Sequence, residues 1–348
     1  MKNYYFIENK KYSHDEFMVL INHAHSDVPT ALHDGFEFVQ MWFNQVESFV
    51  VKTSGSTGTP KSIVIMRQQM EASAKLTIQH FALQDARIAL LCLPVSFIAG
   101  KMMLVRTWVG GWNLIWNIPS SNPIRDVHER IDFAAFTPMQ VINILNTCPE
   151  KFEAVKKVII GGGEISHELE SKLKNCNNEV WVTYGMTETI THVASRKLSG
   201  NDASNEYHAL PGISFTITHD GRLIIRAAHL GSHQYTTNDV VQLHSPTSFS
   251  FVGRADHVIN SGGVKIFPEQ VEQKLAPLIA VPFYISAEAD EVLGERVVLY
   301  MQTDALSPSQ IAMWIEQMKT LLHPYEVPKM IYALPKIERT PTGKIMRR

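Results

Sequence analysis

The sequence predicts an α/β protein in two parts. A large N-terminal domain of layered sheets and helices is followed by a small C-terminal α+β domain. Three observations lead there. Short β-branched runs alternate with segments of helical period up to about residue 205. Short strands and turns take over beyond that point. A length of 348 residues, at about 150 per domain, fits two domains. The boundary falls near Arg254, giving domains of residues 1–253 and 254–348.

The first 52 residues are mixed, with an amphipathic helical stretch over Glu16 to His23. Ser48–Lys52 and Ser62–Met66 read as strands, and Met70, Ala74, Thr77 and Phe81 recur at the spacing of a following helix. Lys157–Ile160 is a strand that runs into Gly161, Gly162, Gly163 and Glu164, after which Ser166 can cap a helix. Val180–Thr183 is a further strand, leading into Tyr184-Gly185. Asp220-Gly221, set between Phe215–Thr218 and Leu223–Arg226, signals a hairpin. The C-terminal part reads as a Pro268–Leu275 helix, strands Pro282–Ser286 and Val297–Gln302, and a helix opening at Ser307-Pro308. In that last helix Ile311, Ile315, Met318 and Leu322 share a face.

Composition excludes several classes. Apolar residues make up 45%, ample for a core, which argues against disorder. A net charge of −2 supplies no bulk attraction to nucleic acid or anionic lipid, so any phosphate must be held locally. Cys92, Cys148 and Cys176 have neither metal-ligand nor disulfide spacing, consistent with idle thiols in a reducing compartment. The apolar stretch Ile88–Gly100 contains Pro94 and Ser96 and is too short for a membrane span. With no signal-peptide pattern in Met1–Lys11, the expectation is a cytoplasmic protein without membrane insertion.

Between the strands Ser48–Lys52 and Ser62–Met66 lies Thr53-Ser54-Gly55-Ser56-Thr57-Gly58-Thr59-Pro60-Lys61. Glycines let backbone N–H groups approach phosphate oxygens, hydroxyls add donors and a lysine adds a point charge. The loop is not a kinase-type P-loop. Pro60 stands where that pattern has glycine before lysine, and the loop joins two strands instead of a strand and a helix. Taken alone, it also reads as an ordinary polar turn.

With four further motifs in order, the loop resembles the signature of the adenylate-forming (acyl-CoA synthetase, AMP-binding) superfamily. The others are Tyr184-Gly185-Met186-Thr187-Glu188, Tyr235–Asp239, Gly253–Asp256 with Ser261-Gly262-Gly263, and Pro341-Thr342-Gly343-Lys344. The resemblance implies ATP, Mg²⁺ and coenzyme A as reaction partners. A carboxylate attacks the α-phosphorus of ATP, releasing pyrophosphate, and a thiol then displaces AMP. Preplaced cations and donors serve such charge build-up.

By this resemblance Thr53, Ser54, Gly55, Ser56, Thr57, Gly58 and Lys61 hold the β- and γ-phosphates. Thr187 donates to a phosphate, and Glu188 holds Mg²⁺. Gly161, Gly162, Gly163 and Glu164 flank the adenine together with Tyr184 and Gly185. Asp239 takes the ribose hydroxyls, and Arg254 contacts the ribose or phosphate side. Asp256 is the hinge, Ser261, Gly262 and Gly263 line the thiol tunnel, and Lys344 is the catalytic lysine of adenylation. Lys265 receives no role. Asn238 replaces the family's usual glycine before Asp239 and tolerates positive φ better than most residues.

The acid pocket is expected around Phe97, Gly100, Arg106, Met139 and His192. Phe97 stands where the family usually has histidine. The stretches Lys101–Trp108 and Phe136–Gln140 are similar to those of o-succinylbenzoate–CoA ligases of menaquinone biosynthesis. A buried arginine needs an anion partner. For Arg106 that is either a second carboxylate of the substrate or an internal Asp or Glu; His192 either lines the pocket or is a satisfied structural histidine. The chief departure from the family bears on the acid pocket: family members usually carry a longer lead than the 52 residues before this loop, and a homodimer could cover the exposed side. The leading expectation is an o-succinylbenzoate–CoA ligase. The alternatives are another aryl- or acyl-CoA ligase, a stand-alone carrier-loading domain, or a silent nucleotide-binding scaffold.

Overall fold

A computed structural model describes residues 3–7, 10–23, 29–52, 61–340 and 345–347. The chain divides into two compact units. The first comprises Met1–Ile165, Leu169–Ser214 and Arg226–Tyr235, and the second Ser166–Glu168, Phe215–Ile225 and Thr236–Arg348.

The first unit begins with β1 (Tyr4–Ile7) and β2 (Lys10–Ser13), then α1 (His14–His23) and α2 (His33–Phe43). β3 (Ser48–Lys52) and β4 (Ser62–Met66) have the bounds expected from the sequence and pair antiparallel, with Lys52 opposite Ser62. α3 (Arg67–His80) follows, with Met70, Ala74 and Thr77 buried as its periodicity requires. β5 (Ile88–Leu91), α4 (Ile98–Gly110), β6 (Asn113–Trp116), β7 (Phe133–Phe136), α5 (Pro138–Thr147), α6 (Pro149–Ala154), β8 (Lys157–Ile160), α7 (His167–Lys174) and β9 (Glu179–Gly185) complete the alternation. Antiparallel β10 (His192–Lys197) and β11 (Glu206–Ala209) follow.

Nine strands lie in the order β11-β10-β9-β8-β7-β5-β6-β1-β2. β1, β6, β5, β7, β8 and β9 are mutually parallel. β7 and β8 are buried along their whole length, as parallel strands covered on both faces must be. Their Ala134, Phe136, Val158 and Ile160 pack with Val141, Ile144, Leu169 and Leu173 of α5 and α7. α4 ends where Gly111 takes φ +66, a left-handed stop that side chains resist. Thr137 caps α5: it accepts from Gln140 N–H at 3.2 Å, and Gln140 Oε1 accepts from Thr137 N–H at 3.0 Å.

The sequence reading missed β1. Four aromatic and β-branched residues suffice because β6 supplies a parallel partner, which pattern alone cannot reveal.

β12 (Ile213–Ile217), β13 (Arg222–Ala227), β14 (Gln234–Ser245) and β15 (Ser248–Arg254) lie side by side in chain order. The expected hairpin turn is present, with Gly221 at φ +83 and Thr218 N–H donating to Arg222 O at 2.9 Å. In the second unit, β16 (Ile259–Ser261), β17 (Val264–Ile266), β18 (Phe283–Asp290), β19 (Gly294–Gln302) and β20 (Met330–Leu334) form a second sheet, with α8 (Pro268–Leu275) and α9 (Pro308–Lys319). A separate apolar cluster runs from Ile259 to Ile331, including Val271, Leu275, Met318 and Leu322; Ile311 and Ile315 pack against it. Among the described residues no helix is long and apolar enough to cross a membrane. Cys92 and Cys148 are buried free thiols, and Cys176 is a half-buried one.

Candidate active site

In the first unit, β5, β7, β8 and β9 are adjacent and parallel, so their carboxyl ends share one edge of the sheet. The segments leaving that edge are the ones expected to bind substrates: Pro94–Phe97, Thr137–Met139, Gly161–Glu164 and Gly185–Glu188. Open parallel sheets bind ligands at that edge. Phe97 precedes α4 and is 44% exposed, and Met139 in the first turn of α5 is 51% exposed. Gly100 is buried, and a Cβ there would lie 2.3 Å from the Pro94 carbonyl oxygen. Residues 53–60, hence Thr53, Ser54, Gly55, Ser56, Thr57 and Gly58, lie outside the described residues; Lys61 is exposed at their end.

Tyr184 and Gly185 close β9, and the Tyr184 ring meets Tyr207 edge-on at 5.8 Å. Gly185 is required sterically: a Cβ would stand 2.3 Å from the Thr191 carbonyl oxygen and 2.7 Å from the His192 Cα. A Cβ at Gly161 would meet the Thr183 side-chain hydroxyl at 2.7 Å, which would have to shift. Thr187 and Glu188 occupy a short 3₁₀ turn and are half-buried. Ile190 follows at φ +67 and ψ −52, with Thr191 N–H donating to Thr189 O at 2.7 Å. This is a γ-turn of the strained hand, forced on a buried β-branched residue. It aims the next side chain, Thr191, back into the protein.

Arg106 is that target. It sits on the inner face of α4 and is 2% exposed. Its Nη2 donates to Thr191 Oγ1 at 2.6 Å, its Nε to Thr77 Oγ1 at 3.3 Å, and its Nη1 to Met103 Sδ at 3.6 Å. No carboxylate pairs with it among the described residues, so the internal Asp or Glu considered from the sequence is not its partner. Burial pulls the guanidinium down to about 9, which leaves it cationic at neutral pH. His192 completes the cluster, with Nε2 3.2 Å from Thr77 Oγ1 and Nδ1 3.2 Å from Thr191 Oγ1. Burial, then the Arg106 and His80 charges, hold it well below the usual histidine range.

In the second unit, Asp239 on β14 faces Arg254 on β15 in register. Arg254 Nη1 lies 3.2 Å from Asp239 Oδ1, while its Nε and Nη2 donate to Asp256 at 2.9 and 2.8 Å. The Asp256 hydrogen bonds, with the charges of both aspartates, keep the guanidinium above its ordinary range. Ser261 is buried, and Gly262 and Gly263 take φ +58 and +82 as the two-residue loop between β16 and β17. That turn demands positive φ at both positions. Lys265 is exposed on β17.

Residues 341–344, with Lys344, lie outside the described residues, but their flanks are tied. Arg339 bridges Ile345, Met346 N–H donates to Glu338 O at 3.0 Å, and Arg347 forms an ion pair with Glu272 on α8. Among the described residues no cluster of three or more His, Cys, Asp or Glu could hold a metal.

Residues 48–221 match the family described as AMP-binding enzyme. The chain belongs to that family. Among relatives of this AMP-binding enzyme, the 2-succinylbenzoate–CoA ligase of Escherichia coli K12 is 27% identical over 268 residues, covering 72% of this chain and 58% of the relative. The chain thus spans little more than half that enzyme's length. A solved acyl-CoA synthetase (AMP-forming)/AMP-acid ligase II-like protein from Dyadobacter fermentans is 35% identical. It matches with a TM-score of 0.64 over 94% of this chain and 95% of its own. The o-succinylbenzoate CoA synthetase of Bacillus subtilis, solved with its acyl-adenylate intermediate, shares the fold at 20% identity. Its TM-score is 0.70, over 85% of this chain and 67% of its own.

Sequence reasoning on this AMP-binding enzyme missed Thr77, Thr191 and Arg347. Thr77 had a readable signal, a hydroxyl residue on an otherwise apolar helix stripe. Thr191 and Arg347 had none, because their partners are set by the fold.

Proposed function

We propose that this protein is an ATP-dependent acid–CoA ligase whose acid carries a second carboxylate, with o-succinylbenzoate the leading candidate. The observation that carries the reading is Arg106, a buried cation surrounded by neutral partners. Three of its five N–H groups are engaged, leaving one on each terminal nitrogen without a partner among the described residues. That pair suits a planar carboxylate gripped fork to fork. The likeness to 2-succinylbenzoate–CoA ligases supports the same acid.

In this reading the acid's other carboxylate attacks the α-phosphorus of ATP and pyrophosphate leaves; the CoA thiol then attacks the acyl carbon and AMP leaves. Thr53–Gly58 and Lys61 cradle the outgoing phosphates and Thr187 donates to one of them. The adenine stacks beside Tyr184 and Gly161–Glu164, while Asp239 and Arg254 serve the ribose. Glu188 fits a magnesium ligand: it is a half-buried carboxylate with no ion pair among the described residues. Mg²⁺ supplies positive charge to the phosphates when bound. Lys344 neutralises charge developing in the first half-reaction. Residues 254–348 turn about Asp256 between the half-reactions, and Ser261–Gly263 then line the thiol's path. A homodimer and a cytoplasmic site of action belong to the same proposal.

The test is pyrophosphate release with ATP and Mg²⁺ on o-succinylbenzoate, benzoate, 4-coumarate, acetate and a medium-chain fatty acid, with and without CoA. Turnover on o-succinylbenzoate with acyl-CoA formed supports the reading. Turnover on a monocarboxylic acid alone discards the second carboxylate. Adenylation without thioester formation turns the assignment to a carrier-loading domain.

A further inference from the structure

The contacts of Arg106 and His192 form a closed ring. Arg106 Nε meets Thr77 Oγ1, Thr77 Oγ1 meets His192 Nε2, His192 Nδ1 meets Thr191 Oγ1, and Thr191 Oγ1 meets Arg106 Nη2. The four distances are 3.3, 3.2, 3.2 and 2.6 Å. All four residues lie in the first unit, on α3, α4, the β9–β10 connection and the first position of β10.

With the Thr77 hydroxyl donating to the Ser73 carbonyl, the proton count of this ring has one solution for a neutral imidazole. The Thr77 hydroxyl already donates to the Ser73 carbonyl at 3.1 Å, so its oxygen only accepts. It therefore takes the Arg106 Nε–H on one lone pair and the His192 Nε2–H on the other. Proton-bearing at Nε2, the neutral ring has a bare Nδ1, which accepts the Thr191 hydroxyl proton. Thr191 oxygen, its own proton spent, accepts from Arg106 Nη2. Every donor in the ring has an acceptor, and nothing in it neutralises the guanidinium charge. A carboxylate in place of His192 would cancel that charge; a second cation would oppose it. A neutral imidazole with one donor and one acceptor orients both hydroxyls while leaving the guanidinium's charge and terminal N–H pair available.

We propose that His192 is a positioning residue for substrate specificity. Through Thr77 and Thr191 it locks the Arg106 fork in the orientation that receives the distal carboxylate of a dicarboxylic acid. The proposal rests on the function reading above, since it requires Arg106 to bind that carboxylate. Preorganisation of this kind acts on affinity for the acid, because the fork is set before the acid arrives. The γ-turn at Ile190 contributes by directing Thr191 at Arg106.

The experiment compares wild type, His192→Phe, His192→Gln, Thr191→Val and Arg106→Met by steady-state pyrophosphate release, with thermal unfolding of each. Phe keeps the aromatic volume but neither hydrogen bond; Gln offers a donor and an acceptor at similar reach. For His192→Phe the KM for o-succinylbenzoate rises roughly ten- to a hundredfold, the range for lost support of a charged hydrogen bond. The effect sits in that KM and not in the KM for ATP, and His192→Gln recovers most of it. Should the Phe variant fail to fold, Thr191→Val decides the matter, since it removes one hydroxyl at constant shape. A parallel rise in the ATP KM, or no rise for the acid, overturns the positioning role. Arg106→Met separates the two levels. If it leaves the KM for the acid unchanged, the function reading fails and this proposal with it; if it raises that KM while the His192 and Thr191 variants do not, only this proposal fails.

Discussion

Asp239 and Arg254 face each other across the β14–β15 ladder, and one Asp239 oxygen accepts from the Arg254 guanidinium at 3.2 Å. The same guanidinium is held from its other side by both oxygens of Asp256. Arg254 is thereby fixed by the residue proposed to bind ribose and the residue proposed as the hinge.

Asp239→Asn leaves Arg254 on Asp256 and removes a charged acceptor for ribose. A hydrogen bond to a charged group contributes about 1.5–3 kcal/mol, so the KM for ATP rises by about ten- to a hundredfold. The urea midpoint moves little, because partly exposed ion pairs contribute about 0–1 kcal/mol. Steady-state kinetics alongside urea unfolding reads both.

Gly185→Ala tests the close approach of β9 and β10. The added methyl meets the Thr191 carbonyl oxygen and His192 Cα, both backbone atoms that cannot swing aside. Overpacking of this kind costs about 1–3 kcal/mol, so the thermal midpoint drops. The KM for the acid rises as well, because the displaced residues belong to the Arg106 ring. A variant as stable as wild type contradicts the packing.

Buried histidines make stability depend on pH. His192 faces Arg106 from α4 and His80 from α3 and is held well below its ordinary range, by burial first. His80 is lowered too, by burial and then by His208 and Lys157. Below about pH 6.5 the unfolded chain takes up protons at these positions before the folded protein does. Stability is therefore level above that pH and falls as pH drops beneath it, by up to about 1.4 kcal/mol per pH unit for each group. Urea midpoints from pH 8 to 5 measure this, and His192→Gln flattens the slope.

Arg347 holds the C-terminal end against α8. Its partner Glu272 is buried enough that its carboxyl is pushed up even with the guanidinium beside it. Arg347→Met strands that carboxylate at a cost of about 3–5 kcal/mol. The double variant Arg347→Met with Glu272→Leu recovers much of the loss, which equilibrium unfolding of both variants would show.

Lys344→Ala separates the half-reactions. Pyrophosphate release drops by about 10²–10³, the usual effect of losing one preorganised group, while thioester formation from supplied acyl-adenylate persists. Equal loss in both halves would sink the role given to this lysine.

Much of the fold was written locally. Ser48–Lys52 and Ser62–Met66 are strands with the bounds that their β-branched runs imply, and Pro268–Leu275 is a helix over the span its pattern implies. Asp220-Gly221 made its turn because only glycine takes φ +83 without strain. Motif order alone carried the family, since such loops use adjacent residues in fixed spacing. Tertiary structure decided what Arg106 is. The sequence left a buried arginine with two possible anions, one of them internal. Folding brings to it Thr77, 29 positions away, and Thr191, 85 positions away, and sets His192, 115 positions from Thr77, between their hydroxyls. Charge environment is a property of neighbours in space. A parallel sheet draws those neighbours from distant strands and helices, so no local pattern of residues records whether a buried cation is neutralised or left open to a ligand.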